Sequence, residues 1–204
     1  MILTIPTIYL SKGLSILSVG GLSGFEKLDD YFKWHPINLA KLFREENNKS
    51  ILIEIDESIE SLKVVNKIRD SLDIPIQLAT NSFNLEFLNK VNSIEISRLF
   101  LSIDNHKIFP KSIPVIRRSE LIKYNLDNYS RIMIDFENTQ LDNIELKINS
   151  KISIRNSTNC TSDLVRINTI KTNIDSIYLG KEYYGTHYAG QLLWRIAEKA
   201  QFAI

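Results

Sequence analysis

Ionisable side chains stand at the ends of several short β-branched runs in this sequence. Glu54 and Asp56 close one run, Asp135 and Glu137 close another, and Arg155 closes a third. Carboxyl groups that meet in one site can donate and accept protons, and an arginine can hold an anionic group by charge-assisted hydrogen bonds. The same side chains can instead pair with one another as a structural ion-pair network, and both interpretations are open at this point.

Other residue types that could do chemistry are not spaced for it. His35, His106 and His187 are scattered, and no spacing places two of them on one helix or strand face beside an acid, as a metal site would need. The segment 20–24 is rich in glycine, but it lacks the Lys-Ser or Lys-Thr that follows in a nucleotide-binding loop. We therefore expect no metal and no cofactor.

The elements that must position the ionisable residues alternate between strand and helix. From Ile59 to Leu72 apolar residues recur every three or four positions, which predicts an amphipathic helix that begins after Ser58. Pro36 predicts the start of another helix, and further helices are predicted near 163–170 and 192–200. This alternation is typical of parallel strands joined by right-handed crossovers. The predicted strands are residues 2–10, 50–56, 74–78, 98–104, 113–117, 131–137, 151–155 and 176–180.

The two faces of these strands differ, which favours a closed barrel. Residues of one parity are aliphatic, whereas those of the other parity become polar toward the C-terminal end of each strand. An open doubly wound sheet would be apolar on both faces because helices cover both. We therefore predict one α/β domain over residues 1–204, a compact (β/α)8 TIM-like barrel with Glu54, Gln77, Asp135 and Tyr178 facing inward into a solvated pocket. The alternative is a sheet with one solvent-exposed face.

Composition limits the partners that the chain is expected to have. The 204 residues include 25 Lys and Arg against 24 Asp and Glu, and the net charge of +1 argues against a nucleic-acid or membrane partner. The sequence holds one cysteine, no run of 18 apolar residues and no secretory signal, so we expect a cytoplasmic protein. A homo-oligomer and a small phosphorylated metabolite remain candidate partners.

Several segments resemble one family of barrel enzymes. The run Ile5-Pro6-Thr7-Ile8-Tyr9-Leu10 with Lys12-Gly13, the segments 31–43 and 74–78, and the stretches 135–146, 151–164 and 177–184 follow its pattern. That pattern resembles the histidine-biosynthesis phosphoribosyl isomerases, the ProFAR isomerase and its cyclase relative. The resemblance implies a TIM barrel and an Amadori rearrangement, in which one carboxyl group protonates the ribose ring oxygen and another removes a proton from the adjacent carbon.

The resemblance also implies where a catalytic site would lie. In that family a catalytic Asp ends the first strand, and Tyr9 stands at this position here. Asp135 and Asp56 are then the carboxyl groups that we predict as catalytic, chosen from Glu54, Asp56, Asp104, Asp135 and Glu137. Because Tyr9 does not supply the family's carboxyl group, we expect no standard isomerisation.

A phosphate site is implied at the ends of the seventh and eighth strands. The family's paired glycines after the seventh strand are replaced by Arg155-Asn156-Ser157, whose side chains obstruct the approach of a phosphate to backbone amides. The predicted substrate-binding residues are Tyr9, Arg155, Asn156, Ser157, Gly180 and Lys181.

Two classes of function follow from these expectations. The first is a divergent relative of the isomerases that binds a sugar phosphate or works as an isomerase-like enzyme. The second is a noncatalytic barrel that serves as an interaction or regulatory scaffold. The partner of Arg155 distinguishes them, because a phosphate site needs its charge free, whereas a site without ligand would have it neutralised by Asp135 or Glu137.

Overall fold

Eight parallel strands close into a barrel in the computed structural model, which describes residues 2–18, 25–27, 35–137, 149–155 and 173–180. Around the barrel the strands run β10, β9, β8, β7, β6, β5, β4 and β1, and β1 pairs with β10 to close the ring. Strands β2 and β3 extend the sheet from β1 as antiparallel additions. The strands are β1 (Leu3–Ser11), β2 (Leu14–Ser18), β3 (Phe25–Lys27), β4 (Ile51–Ile55), β5 (Ile76–Thr80), β6 (Arg98–Ser102), β7 (Ile113–Arg117), β8 (Arg131–Asp135), β9 (Lys151–Arg155) and β10 (Ile174–Leu179).

Helices connect the strands wherever the structure describes the crossover, in part as 3-10 turns. Ser58 caps α2 by accepting a hydrogen bond from the Ser61 amide, and Pro36 occupies the first turn of α1, both at the predicted positions. The helices are α1 (Pro36–Glu45), α2 (Ile59–Ser71), α3 (Leu85–Asn92) and α4 (Ile103–Ile108), with 3-10 turns at Arg118–Lys123 and Leu126–Asn128. The helices predicted near 163–170 and 192–200 lie outside the described residues.

The predicted fold class is confirmed, and all eight predicted strands overlap strands of the barrel. Some boundaries were wrong. The predicted strand 98–104 ends at Ser102, because the Ser102 hydroxyl accepts from the Asn105 amide and caps α4. The prediction of one domain over residues 1–204 includes ranges that the structure does not describe, so it stays a prediction.

Alternate residues of the strands pack into two separate cores. The larger cluster lies between the strands and the helices, and includes Ile8, Leu10, Ile53 and Ile55. The smaller cluster fills the barrel and consists of Ile5, Leu52, Ala79, Phe100, Met133 and Tyr178. The Phe100 and Tyr178 rings meet edge to face with centroids 5.5 Å apart, although β6 and β10 lie on opposite sides of the ring. At this level the barrel interior is a packed core.

Candidate functional site

Two contacts across the barrel show which side chains face inward. The Tyr178 hydroxyl on β10 donates to Gln77 Oε1 on β5 at 2.6 Å. Arg155 Nη1 on β9 donates to Glu54 Oε2 on β4 at 2.9 Å. Neither pair of strands is adjacent in the sheet, so the side chains must meet through the interior. Together with the Arg155 contact to Asp135, this confirms that Glu54, Gln77, Asp135 and Tyr178 point inward.

Arg155 lies at the centre of a buried ion triad at the C-terminal end of the barrel. Asp135 Oδ2 accepts from Arg155 Nε at 3.0 Å and from Nη2 at 2.8 Å, while Glu54 accepts from Nη1. Asp135 and Arg155 are register partners on β8 and β9, so the strand pairing itself sets this contact. The side chains of Arg155 and Glu54 are each 5% exposed, and that of Asp135 is 9% exposed. We call these three residues the Arg155 triad.

The triad combines two carboxyl groups with one guanidinium, and burial and neighbouring charges shift the pKa values of Glu54 and Arg155. Burial raises the pKa of Glu54, and Asp135 adds to this effect against the opposing influence of Arg155. Burial alone would lower the pKa of Arg155, but Glu54, Asp135 and Tyr9 together raise it above its ordinary value. Arg155 therefore stays charged, and its charge is directed to the two carboxyl groups.

Tyr9 fills the barrel end next to the triad. It is the register partner of Glu54 on the neighbouring strand, so the two side chains share the inward face. Ile16 on β2 lies opposite Tyr9 in the antiparallel pair and is also buried. A Cβ atom built on Gly180 would lie 2.6 Å from the Tyr9 hydroxyl oxygen. The phenol ring therefore occupies the space next to Gly180, the residue that follows β10.

Asp56 belongs to a different arrangement. It follows β4, and its carboxylate accepts from the Ser58 hydroxyl at 2.6 Å, from the Ser61 hydroxyl at 2.7 Å and from the Lys12 amide at 2.9 Å. The Ser11 hydroxyl donates a fourth hydrogen bond at 3.2 Å. Burial would raise the pKa of Asp56, but these donors hold it below its ordinary value. Asp56 is thus an ionised anchor that joins the β1–β2 turn to the start of α2.

The structure thus separates the two predicted catalytic acids by their partners. It brings Asp135 together with Arg155 and Glu54 inside the barrel, and it places Asp56 with the β1–β2 turn. Of the other candidate acids, Glu137 accepts from the Ser119 hydroxyl at 2.8 Å and is exposed, and Asp104 pairs with Lys107 on the surface of α4.

The structure describes part of the predicted phosphate site. Tyr9, Arg155 and Gly180 meet at the C-terminal end of the barrel. Asn156, Ser157 and Lys181 lie outside the described residues. The sequence-based reasoning treated Gly180 as a phosphate-binding glycine and missed its contact with Tyr9. An aromatic residue at the end of the first strand, combined with a glycine at the end of the last, was the available signal, because β1 and β10 are neighbours in a closed barrel.

In the described part of the chain, no group of three or more His, Cys, Asp or Glu side chains could hold a metal ion. No helix within the described ranges is long and apolar enough to cross a membrane.

No protein-family model matches the chain, and no curated protein matches it. The chemistry of the barrel end is therefore inferred from its own residues and from their arrangement.

Proposed function

We propose that this chain is a divergent relative of the histidine-biosynthesis phosphoribosyl isomerases whose barrel no longer catalyses the isomerisation and serves as an interaction or regulatory scaffold. One observation carries the proposal. Arg155 faces inward at the end of β9, where it is bound by both Glu54 and Asp135 and is buried with them. A cation that is shared by two carboxylates offers little positive potential to a phosphate.

Acid–base chemistry by the remaining carboxyl groups also lacks support. The rearrangement needs one carboxyl group that gives a proton and a second that takes one, both at the same substrate. Asp135 is occupied by Arg155, and Asp56 is held ionised by donors at the β1–β2 turn. Tyr9 occupies the position that the family gives to the acid at the end of the first strand.

Two large apolar side chains are exposed in segments that follow barrel strands, and a partner of the scaffold could contact them there. Ile122, in the 3-10 turn after β7, is 96% exposed, and Phe83, in the loop after β5, is 72% exposed. Among the described residues these are the two most exposed large apolar side chains. Both follow C-terminal strand ends, where a barrel of this type carries its variable loops.

The competing candidate function is binding of a sugar phosphate. It is favoured by the presence of a guanidinium and a glycine together at the C-terminal end of the barrel, at Arg155 and Gly180. For this function Arg155 must exchange at least one carboxylate partner for a phosphate. Such an exchange is costly, because it leaves Glu54 or Asp135 buried without its partner.

A thermal-melting scan separates the two functions. Parent protein is heated with ribose 5-phosphate or inorganic phosphate over a wide concentration range. A specific ligand at about 100 times its Kd would stabilise the fold by about 2.7 kcal/mol. We expect no shift in Tm. The control is Arg44→Ala, because Arg44 also pairs with an aspartate but lies on the surface. A saturable shift that persists in Arg44→Ala and is lost in Arg155→Ala would establish the binder and overturn the scaffold proposal.

A further inference from the structure

Gly180 is a glycine for reasons of space. A Cβ atom at this position would lie 2.6 Å from the Tyr9 hydroxyl oxygen, 2.8 Å from Cε2 and 3.1 Å from Cζ. Contacts of this kind below 3.0 Å require a neighbouring group to move. The φ angle of Gly180 lies outside the left-handed region, unlike that of Gly13 at +76°. A residue with a side chain could therefore adopt the backbone conformation, and within the described part of the chain the three atoms nearest to the added Cβ all belong to Tyr9.

The Tyr9 ring has little freedom to give way. It is buried on the inward face of β1, with Glu54 beside it on β4 and Ile16 opposite it on β2. Strand β1 pairs with β10 up to Leu179, the residue before Gly180, so the ring lies directly at the seam that closes the barrel. Moving the ring away from Gly180 would require movement of this packed surrounding.

We infer that Tyr9 is an internal plug and that the absence of a side chain at Gly180 makes room for its ring. The phenol then takes the volume that a ligand phosphate would need at the end of β10. This inference deepens the proposed function and rests on it for the statement about the ligand. The packing relation between Tyr9 and Gly180 stands on the geometry alone. It predicts that the two positions are energetically coupled, which no role of Gly180 as a phosphate-binding residue would require.

A double-mutant cycle tests the coupling. The loss of Tm caused by Gly180→Ala is measured in the parent, in Tyr9→Phe and in Tyr9→Ala, each against its own background. In the parent we expect a fall of about 5 °C, typical of overpacking in a domain of this size. Tyr9→Phe removes the nearest atom but leaves Cε2 and Cζ, so the fall should be smaller. In Tyr9→Ala the fall should nearly vanish, because the space is empty.

Gly13→Ala, in the β1–β2 turn, is the control for a glycine whose nearest neighbours do not include Tyr9. Its cost arises from the positive φ and from Glu60, so it should be equal in the parent and in Tyr9→Ala. If Gly180→Ala folds only in the Tyr9→Ala background, that rescue supports the plug. An equal loss in all three backgrounds, or failure to fold in all, overturns it. If Tyr9→Ala itself does not fold, the loss of Tm caused by Gly180→Ala is compared between the parent and Tyr9→Phe. A smaller loss in Tyr9→Phe supports the plug, and an equal loss overturns it.

The double-mutant cycle and the thermal-melting scan with phosphate test the plug and the proposed function separately. Coupling without any phosphate-induced shift supports the plug and the scaffold together. A saturable phosphate shift that is lost in Arg155→Ala and kept in Arg44→Ala would show that the ring does not take the ligand's space, which overturns the plug's role as well as the proposed function. Absence of coupling without a phosphate shift would overturn the plug alone.

Discussion

At the scale of single residues, the Arg155 triad decides what the barrel end can do. A buried guanidinium that bridges two carboxyl groups is held by its partners, and each partner depends on it. Removing one member of such a group leaves an uncompensated charge in a medium that solvates it poorly. The triad therefore has a structural consequence that can be measured without knowing any ligand.

Arg155→Met is expected to destabilise the protein by about 3 to 5 kcal/mol, because Glu54 and Asp135 are left buried without a cation. Adding Glu54→Gln and Asp135→Asn to this variant should recover a large part of the loss, since no unpaired charge remains. Urea unfolding gives both values. Arg44→Ala, which breaks a surface pair, should cost far less than Arg155→Met, because water solvates the charges that it leaves behind. A small cost for Arg155→Met, similar to the control, would contradict the importance of the triad.

Also at the residue scale, the purified protein is expected not to convert the ProFAR substrate at a meaningful rate. Loss of one of two proton-transfer groups typically reduces the rate by about 10² to 10⁴. Under the proposed relationship Tyr9 stands where the isomerases have their first acid, and Asp135 is bound to Arg155. The measurement is product formation under conditions in which a standard isomerase from this family is active. Efficient turnover would refute the proposal.

At the scale of elements, Asp56 determines how the β1–β2 turn sits on α2. Its carboxylate receives hydrogen bonds from both elements, and the Gly13 amide donates to the Ser61 hydroxyl at 3.0 Å in the same contact. Lys12 at the turn has a φ of 49°, a left-handed conformation that is uncommon for a residue with a side chain. The anchor therefore also holds a strained backbone.

Asp56→Asn is expected to lower the free energy of unfolding by about 1 to 2 kcal/mol near neutral pH, because the amide replaces a charged acceptor. The native-state pKa of Asp56 is below its ordinary value of 3.8. The ionised anchor therefore contributes its stability above that pH, and the contribution is lost as the pH falls through the lower native-state pKa. Urea unfolding at several pH values should show parent and variant converging in acid. Asp104→Asn, in an exposed pair with Lys107, should change the free energy of unfolding little near neutral pH.

At the scale of the whole molecule, the barrel is held closed by polar pairs that span its interior. Tyr178 reaches Gln77 and Arg155 reaches Glu54, and each pair joins residues 101 positions apart in sequence. Such contacts form only when the ring of strands is complete. Their loss therefore affects the cooperative unfolding of the barrel and not one segment.

The pH dependence of this closed state should carry the signature of Glu54. Burial raises its native-state pKa above the ordinary value of 4.5, so the native protein binds a proton more tightly than the unfolded chain. The stability linked to this proton is fully present below pH 4.5 and is lost as the pH rises through the higher native-state pKa. As the pH rises from 4.5 through the native-state pKa of Glu54, urea unfolding should show the parent losing stability relative to Glu54→Gln. A constant difference between the two proteins at every pH would contradict the assignment.

The sequence alone determined the eight strands, the crossover pattern and the inward parity of Glu54, Gln77, Asp135 and Tyr178. These features follow from the spacing of hydrophobic residues along the chain. In a strand, odd and even positions face opposite sides of the sheet, so position alone fixes the face of each residue. The sequence also identified the acids and Arg155 as one set, because all of them lie at or just after the C-terminal ends of predicted parallel strands.

Only the tertiary structure decided which of these residues meet. The sequence left several acids as candidate partners of Arg155. In the closed ring Glu54 and Asp135 bind Arg155, whereas Asp56 binds the β1–β2 turn. The contact between Tyr9 and Gly180 depends on the first and last strands becoming neighbours. Parity is a local property of the chain, whereas a partner across the barrel depends on curvature, register and side-chain volume, which are set when all the strands pack together.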